Sequence, residues 1–433
     1  MADRAMSQND AAWEALFERY GIAEQIEARG RFVISAARIK EYREPRLMAK
    51  FDHSVNLPRL FLDSDLAILP ISRGEYVISH FAAYHPFEPS VSSFVRASLP
   101  AHLQSLDAGA IPSEAIAVNC ALAAGILSDF LGEETLYPTV SGRMGSGSFS
   151  FSIRNTHTRT DELVEVNNAQ IEIDAALEGR NSLCLLEAKR DLAEDFLVRQ
   201  LYYPYRTWMG RVAKSVRPVF LVYSNGIFSL REYAFTDPGA YHSLVLVRQK
   251  SYAIEETAIG REELIAVLRG TPAEPEPELP FPQADDFHRV INICELLASR
   301  EMDREEVTAE YAFDTRQTNY YTDAARYLGL VEKRRDGRRP VYSLSETGRG
   351  ILRLGYRQRQ LALCGRILRH RPFREVLHAA LAAGRIPDRR AIVGIMLAEP
   401  LYGVGSPSTY ERRASTVAGW VHWMLSLIET AGA

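Results

Sequence analysis

Two neighbouring segments, AQIEIDAAL at 169–177 and SLCLLEAK at 182–189, carry the side chains best suited to chemistry. In an extended strand, Ile171, Ile173, Ala175 and Leu177 share one face, which leaves Glu172 and Asp174 together on the other. Glu187 and Lys189 likewise share a face, and they stand at the end of the apolar run SLCLL, where a buried strand finishes. Glu178, Gly179, Arg180 and Asn181 read as a turn, so the two strands form a hairpin. With the turn centred between Arg180 and Asn181, Asp174 faces Glu187 and Glu172 faces Lys189. Directly opposed Cβ atoms lie roughly 4.5–5.5 Å apart, close enough for two carboxylates to share one ion. Opposed like charges destabilise a sheet unless a cation neutralises them, and hard oxygen ligands favour Mg²⁺ or Mn²⁺. Mg²⁺ usually keeps several waters, one of which can act as nucleophile. Lys189 can then help deprotonate or orient that water, or stabilise charge on a phosphorane-like transition state. Taken alone, an Asp followed by Glu-x-Lys also describes many ordinary solvated strands.

The elements around this hairpin follow from periodicity. Pro112 to Leu131 is helical, with Ser113 as its cap. Strands are expected at 148–154 and 218–224, with a helix over about 192–209 between the hairpin and the last strand. GRMGSGS at 142–148 contains Arg143 and lacks the Lys-Ser/Thr ending of a P-loop; it reads as a loop near a phosphate backbone or as a plain hairpin connection. Upstream, Trp13, Leu16, Phe17, Tyr20 and Ile22 form a helical stripe, and β-like runs follow at 32–36, 59–63, 67–71 and 75–81. This small α+β module is a cap on the core or a second DNA-reading module. The alternating prolines and acids of TPAEPEPELPFPQADD at 271–286 propagate neither helix nor sheet and mark a linker.

On these residues, 112–224 resemble the PD-(D/E)XK nuclease core, and the whole chain resembles type II restriction endonucleases. The resemblance implies an α/β (α+β) fold with a mixed sheet flanked by helices. It also implies catalysis through Asp174, Glu187 and Lys189, with Ala188 at the variable position whose backbone carbonyl can also reach Mg²⁺. Ile173 stands where the motif name places proline. Gln200 lies near a glutamine-tyrosine pair found in some relatives, but Pro204 occupies the fourth position onward. Glu114 and Asp129 are candidate outer acids, although solvated helix surface is the favoured reading of each. The implied function is sequence-specific cleavage of double-stranded DNA in a restriction-modification system, by a homodimer, with a DNA methyltransferase as a genetic rather than physical partner. Alternatives are a repair or structure-specific nuclease on the same core, and a DNA-binding regulator whose core is inert.

After the linker, helices over 287–299, 303–310 and 314–328 and a β-wing resemble a winged helix-turn-helix. The third helix buries Tyr321, Ala324, Ala325 and Leu328, which leaves Arg316, Gln317, Asn319 and Tyr320 for base edges and phosphates. KRRDGRR at 333–339 sets five basic side chains, among them Arg334, Arg335, Arg338 and Arg339, around an Asp-Gly turn. Such a unit also serves protein contacts elsewhere. A further helix carries Arg412 and Arg413 ahead of the apolar stripe Val417, Trp420, Val421 and Leu425, and 350–433 is a candidate second winged-helix module. The expected divisions are therefore 1–105, 106–270, the linker 271–286, 287–348 and 349–433.

Composition sets the limits. A chain of 433 residues is too long for one ordinary core. Its charged fraction of 24% and net charge of −4 announce neither disorder nor a polyanion partner, so any nucleic-acid surface must be local. The four cysteines form no CxxC pair, which argues against a zinc site or a disulfide framework. The polar, acidic N-terminus and the lack of a run of about 18 apolar residues point away from secretion and membrane insertion, towards the cytoplasm.

Overall fold

A computed structural model of the chain describes residues 7–89, 93–109, 111–254, 258–311, 315–337 and 339–428. Its centre is a seven-stranded mixed sheet flanked by helices. Across the sheet the strands run Phe94–Arg96, Leu244–Ala253, Ile227–Phe235, Ser215–Ser224, Ser182–Lys189, Gln170–Glu178 and Tyr137–Gly145. The two central strands, Ser182–Lys189 and Ser215–Ser224, pair in parallel. A parallel step needs a crossover, and the helix Arg199–Trp208 supplies it. Leu183, Leu185 and Phe220 face that helix and pack with its Tyr202 and Tyr203. Cys184, Leu186 and Leu221 face the opposite way, under the helices Glu114–Ala123 and Ile126–Leu131. Burial on both faces is what made SLCLL a continuous apolar run.

Several local expectations need correction. RLFLD at 59–63 is a helix: Phe61 is fully buried edge-on to Trp13, at 4.8 Å between ring centroids. A short apolar run does not by itself separate strand from helix. Most of GRMGSGS is also strand. Tyr137–Gly145 pairs antiparallel with Gln170–Glu178, bulging between Pro138 and Gly142, and Gly142 adopts φ +91°, where a side chain would be strained. The helix expected from about residue 192 starts at Arg199, because Asp195–Leu197 instead forms a short strand against Tyr84–Pro86. The segment Ser148–Arg154 is a strand, but it pairs with Asp161–Asn167 in a separate hairpin over the sheet. Beyond Tyr356 the described residues hold the helices Tyr356–Leu368, Arg371–Ala383, Arg389–Met396 and Pro407–Ser426 and no named strand, so there is no second wing.

The N-terminal module packs Trp13, Leu16 and Phe61 against a three-stranded antiparallel sheet of Arg31–Ser35, Glu75–Ser79 and Ala67–Pro70. In the C-terminal half, helices Phe287–Leu297, Arg304–Glu310 and Thr315–Tyr327 are followed by the paired strands Val331–Asp336 and Arg339–Leu344, with Met302–Asp303 as a third strand. The proline-rich stretch 271–286 has no helix or strand, yet it is tied down: Phe281 and Ala284 are buried, and Trp420 Nε1 donates to the Ala284 carbonyl at 2.6 Å.

The helical half docks on the core through buried polar groups. Asn292, fully buried, donates to the Arg190 carbonyl at 2.7 Å and accepts from the Leu192 N–H at 3.1 Å. Glu295 accepts from Ser224 Oγ at 2.7 Å and from the Asn225 N–H at 2.9 Å. Asn225 and Gln360 exchange amide hydrogen bonds at 3.1 and 2.9 Å. Among the described residues, no helix is long and apolar enough to cross a membrane.

Candidate active site

The hairpin ladder runs from Leu183↔Glu178 to Leu186↔Ala175. One further step would set Glu187 against Asp174, the register read from the turn. There the ladder stops, and the Asp174 carboxylate enters the opening, its Oδ2 accepting from the Ala188 N–H at 2.8 Å. The N–H and C=O of one strand residue point to the same side, so the Ala188 carbonyl faces this opening as well. Glu187 Oε1 accepts from Lys189 Nζ and from Gln200 Nε2, both at 2.7 Å. Lys189 is thus bound to its own strand neighbour, while Glu172, expected opposite it, pairs instead with Arg143 at 3.4 Å.

Burial dominates the electrostatics. It raises the Glu187 carboxyl to about 7 against the opposing pull of Lys189, and Asp174 raises it further. The Asp174 carboxyl is also raised, by burial first, with Lys189 and the Ala188 N–H working the other way. Burial would lower Lys189, but Glu187, Asp52, Glu114 and Asp174 outweigh it and hold the ammonium well above its usual range.

Two of these neighbours come from elsewhere in the chain. Glu114, in the first turn of its helix, lines the same groove, and burial raises its carboxyl. Glu114 is thus half-buried at the groove rather than on an open helix face. Asp129 is bound to Lys250 at 3.1 Å and Tyr252 at 2.6 Å, with no part in the site. Asp52 belongs to the N-terminal module and was not anticipated; its Oδ2 lies 3.9 Å from Lys189 Nζ, and its Oδ1 is buried with no hydrogen-bond partner among the described residues. Beside it His53 bridges the Asp191 carboxylate at 3.0 Å and the Asp195 carbonyl at 2.6 Å. Burial lowers this imidazole, but Asp191 more than offsets that and raises it. FDHS at 51–54 shows no periodicity or spacing that would have marked it.

These groups floor a groove of about 1220 Å³ whose walls include Arg73, Arg143, Arg199 and Arg304. Among the described residues, no group of three or more His, Cys, Asp or Glu side chains is gathered tightly enough to cage an ion. What the opening offers is Asp174 Oδ1 and Glu187 Oε2, neither accepting a described hydrogen bond, together with the Ala188 carbonyl. That donor set suits a hard cation that keeps several waters.

Of the side chains expected to meet DNA, Arg316 is exposed and Gln317, Asn319 and Tyr320 are half-buried, while Tyr321, Ala324, Ala325 and Leu328 fill the core. Arg334 pairs with Glu301 and Arg339 with Asp303, Arg335 is exposed, and Arg338 lies outside the described residues. Among the described residues none of these lines the groove; the helical half contributes Leu296, Ser299, Arg304, Glu305 and Thr308 to it. Arg412 is exposed, whereas Arg413 is half-buried and donates to Gln283 of the proline-rich stretch.

Three family models match the chain. Residues 10–78, 79–253 and 289–429 each match a domain of unknown function, DUF6996, DUF6997 and DUF7226 respectively. No curated protein and no solved structure matches. The site draws on all three matched segments: Asp52 and His53 lie in the first, Asp174, Glu187 and Lys189 in the second, and Asn292, which holds the loop after Lys189, in the third.

Proposed function

We propose that this chain is a Mg²⁺-dependent endonuclease for double-stranded DNA, of the restriction type, with a PD-(D/E)XK core and a winged-helix DNA-reading unit. The observation that carries the reading is the meeting of Asp174, Glu187 and Lys189 where the hairpin ladder ends, on the floor of a groove with arginines in its walls. Asp174, Glu187 and the Ala188 carbonyl would hold the cation, which when bound supplies an acidified water and neutralises phosphate charge. Gln200 fixes the orientation of Glu187 through its 2.7 Å hydrogen bond. Lys189, bound to Glu187 at 2.7 Å, would stand beside the scissile phosphate to orient or deprotonate the attacking water or to stabilise transition-state charge. Arg316, Gln317, Asn319 and Tyr320, with the basic wing, would read the duplex. A homodimer would place one such core on each strand. The complete Asp-Glu-Lys set argues against a regulator with an inert core.

Single-turnover cleavage of plasmid DNA in Mg²⁺, paired with binding in Ca²⁺, tests the assignment. Asp174→Ala and Glu187→Ala should abolish cleavage while DNA binding persists. Lys189→Ala should slow cleavage on the order of 10² to 10⁴. Near-native cleavage by either carboxylate variant would overturn the proposal.

A further inference from the structure

We infer that the N-terminal module forms the second wall of the duplex-DNA groove and binds phosphates there through Arg46, Lys50 and Arg73. The inference rests on the nuclease reading and assigns a role to the module. Its first support is rigidity. The segment 51–54 is stitched to the chain just after Lys189: the Leu197 N–H donates to the Asp52 carbonyl at 2.8 Å, His53 meets Asp191 at 3.0 Å, and the Ser54 N–H donates to Asp195 Oδ1 at 3.0 Å. The backbone of this wall is therefore tied, at 52–54, to the chain that follows the candidate site.

Its second support is uncompensated charge. Arg46, Lys50 and Arg73 all line the groove and are exposed. Arg46 and Arg73 have no described ion pair, and Lys50 has only Asp52, at 3.8 Å. Arg73 also reaches across to the core, where a Cβ built on Gly145 would lie 3.6 Å from its Nη2, on the strand that carries Arg143. Arg73 thus approaches the strand that carries Arg143, and a phosphate backbone lying in the groove would meet cations from both walls. The floor makes the need sharper. Asp52, Glu114, Asp174 and Glu187 repel a phosphate backbone, so a duplex can settle over them only if cations at the rim hold it. Among the described residues, the wing and the helix Thr315–Tyr327 contribute none of those that line this groove.

The test uses the full chain, Ca²⁺ in place of Mg²⁺, and a fluorescent duplex of arbitrary sequence, with binding followed by anisotropy over a NaCl series. Combining Arg46→Ala, Lys50→Ala and Arg73→Ala should weaken binding and reduce the log–log salt slope by about 0.9 per lost phosphate contact, up to ~2.7 in all. An equal charge change made outside the groove, by Arg29→Ala, Arg385→Ala and Arg390→Ala, should leave the slope as it was. All six side chains are exposed, so both variants should keep the native circular dichroism. A groove variant with the wild-type slope, while the wild type binds and cleaves DNA, overturns this inference alone. An equal loss in the outside variant also overturns it, since net charge would then be the cause. A wild type that binds no duplex removes the nuclease reading and this inference together.

Discussion

Replacing Asn292 by alanine should cost the protein several kcal/mol and disturb the candidate site from a distance. The side chain is fully buried and makes three hydrogen bonds across the junction, to the Arg190 carbonyl at 2.7 Å and Ser224 Oγ at 3.0 Å and from the Leu192 N–H at 3.1 Å, with a fourth to Glu295 Oε2 of its own helix at 3.2 Å. Ser224 and Glu295 keep each other at 2.7 Å in the variant, so their loss is small. The Arg190 carbonyl and the Leu192 N–H each lose their partner on Asn292, at about 1–3 kcal/mol each. The sum is roughly 3–4 kcal/mol, taking each group near the middle of that range. Urea unfolding followed by tryptophan fluorescence reads the loss, because Trp420 and Trp423 report on the helical half and Trp208 on the core. Because Arg190–Leu192 directly follows Lys189, single-turnover cleavage should fall more than DNA affinity. Asn292→Asp sharpens the test: it keeps an acceptor for Leu192 but sets a carboxylate where Glu295 Oε2 stands 3.2 Å away. A change below about 1 kcal/mol for Asn292→Ala would refute the reasoning, since that is the worth of one ordinary hydrogen bond.

Two further outcomes follow from buried groups. Burial works to raise Glu232, but hydrogen bonds from Arg217 at 2.7 Å and Arg248 at 2.6 Å lower it below the ordinary glutamate range. Its contribution to stability is therefore present above the unfolded glutamate pKa and lost as pH falls through the depressed folded value; Glu232→Gln should flatten that part of the acid-unfolding curve, and an unchanged curve would count against the triad. All four cysteines are buried and burial raises each thiol, Cys184 to about 12, so a thiol reagent at mildly alkaline pH should label none in the native protein and four in denaturant. Rapid labelling of any native thiol would contradict the packing around it.

The carboxylate hairpin was legible because everything that sets it is local. Alternation along 169–177 fixes the faces, and the four turn residues fix the register, which the ladder from Leu183↔Glu178 follows. The partner of Lys189 was not legible, because Glu172 is drawn off by Arg143 on the next strand, a pairing no local pattern encodes. Asp52 and Asn292 reach the site from other segments of the chain, and their surroundings come from tertiary packing alone. The strand Ile227–Phe235 hides for a different reason. Arg231 and Glu232 are buried within it, so a polar pair interrupts the apolar pattern; Arg217 and Arg248 on the neighbouring strands make the burial of Glu232 tolerable, and the Glu88 carbonyl accepts from Arg231 at 3.0 Å. RLFLD shows the limit of short runs, since five residues fit either period.

The pin on the loop after Lys189 also has a consequence for how the protein is made. Leu192 and Asn292 are 100 residues apart. At about 5–20 residues per second, a ribosome needs roughly 5–20 s to travel from one to the other, and domains fold in the order they emerge. Throughout that interval the nascent chain already carries Asp174, Glu187 and Lys189, and residues 52–54 can already hold the segment at 191–197, but the pin from Asn292 to Arg190 and Leu192 is missing. A chain that stops early, through a nonsense codon or a stalled ribosome, keeps the residues without that pin. For a protein proposed to cut DNA, this order of synthesis delays competence until the DNA-reading half begins to appear, so that unfinished copies present less danger to the genome of the cell that makes them.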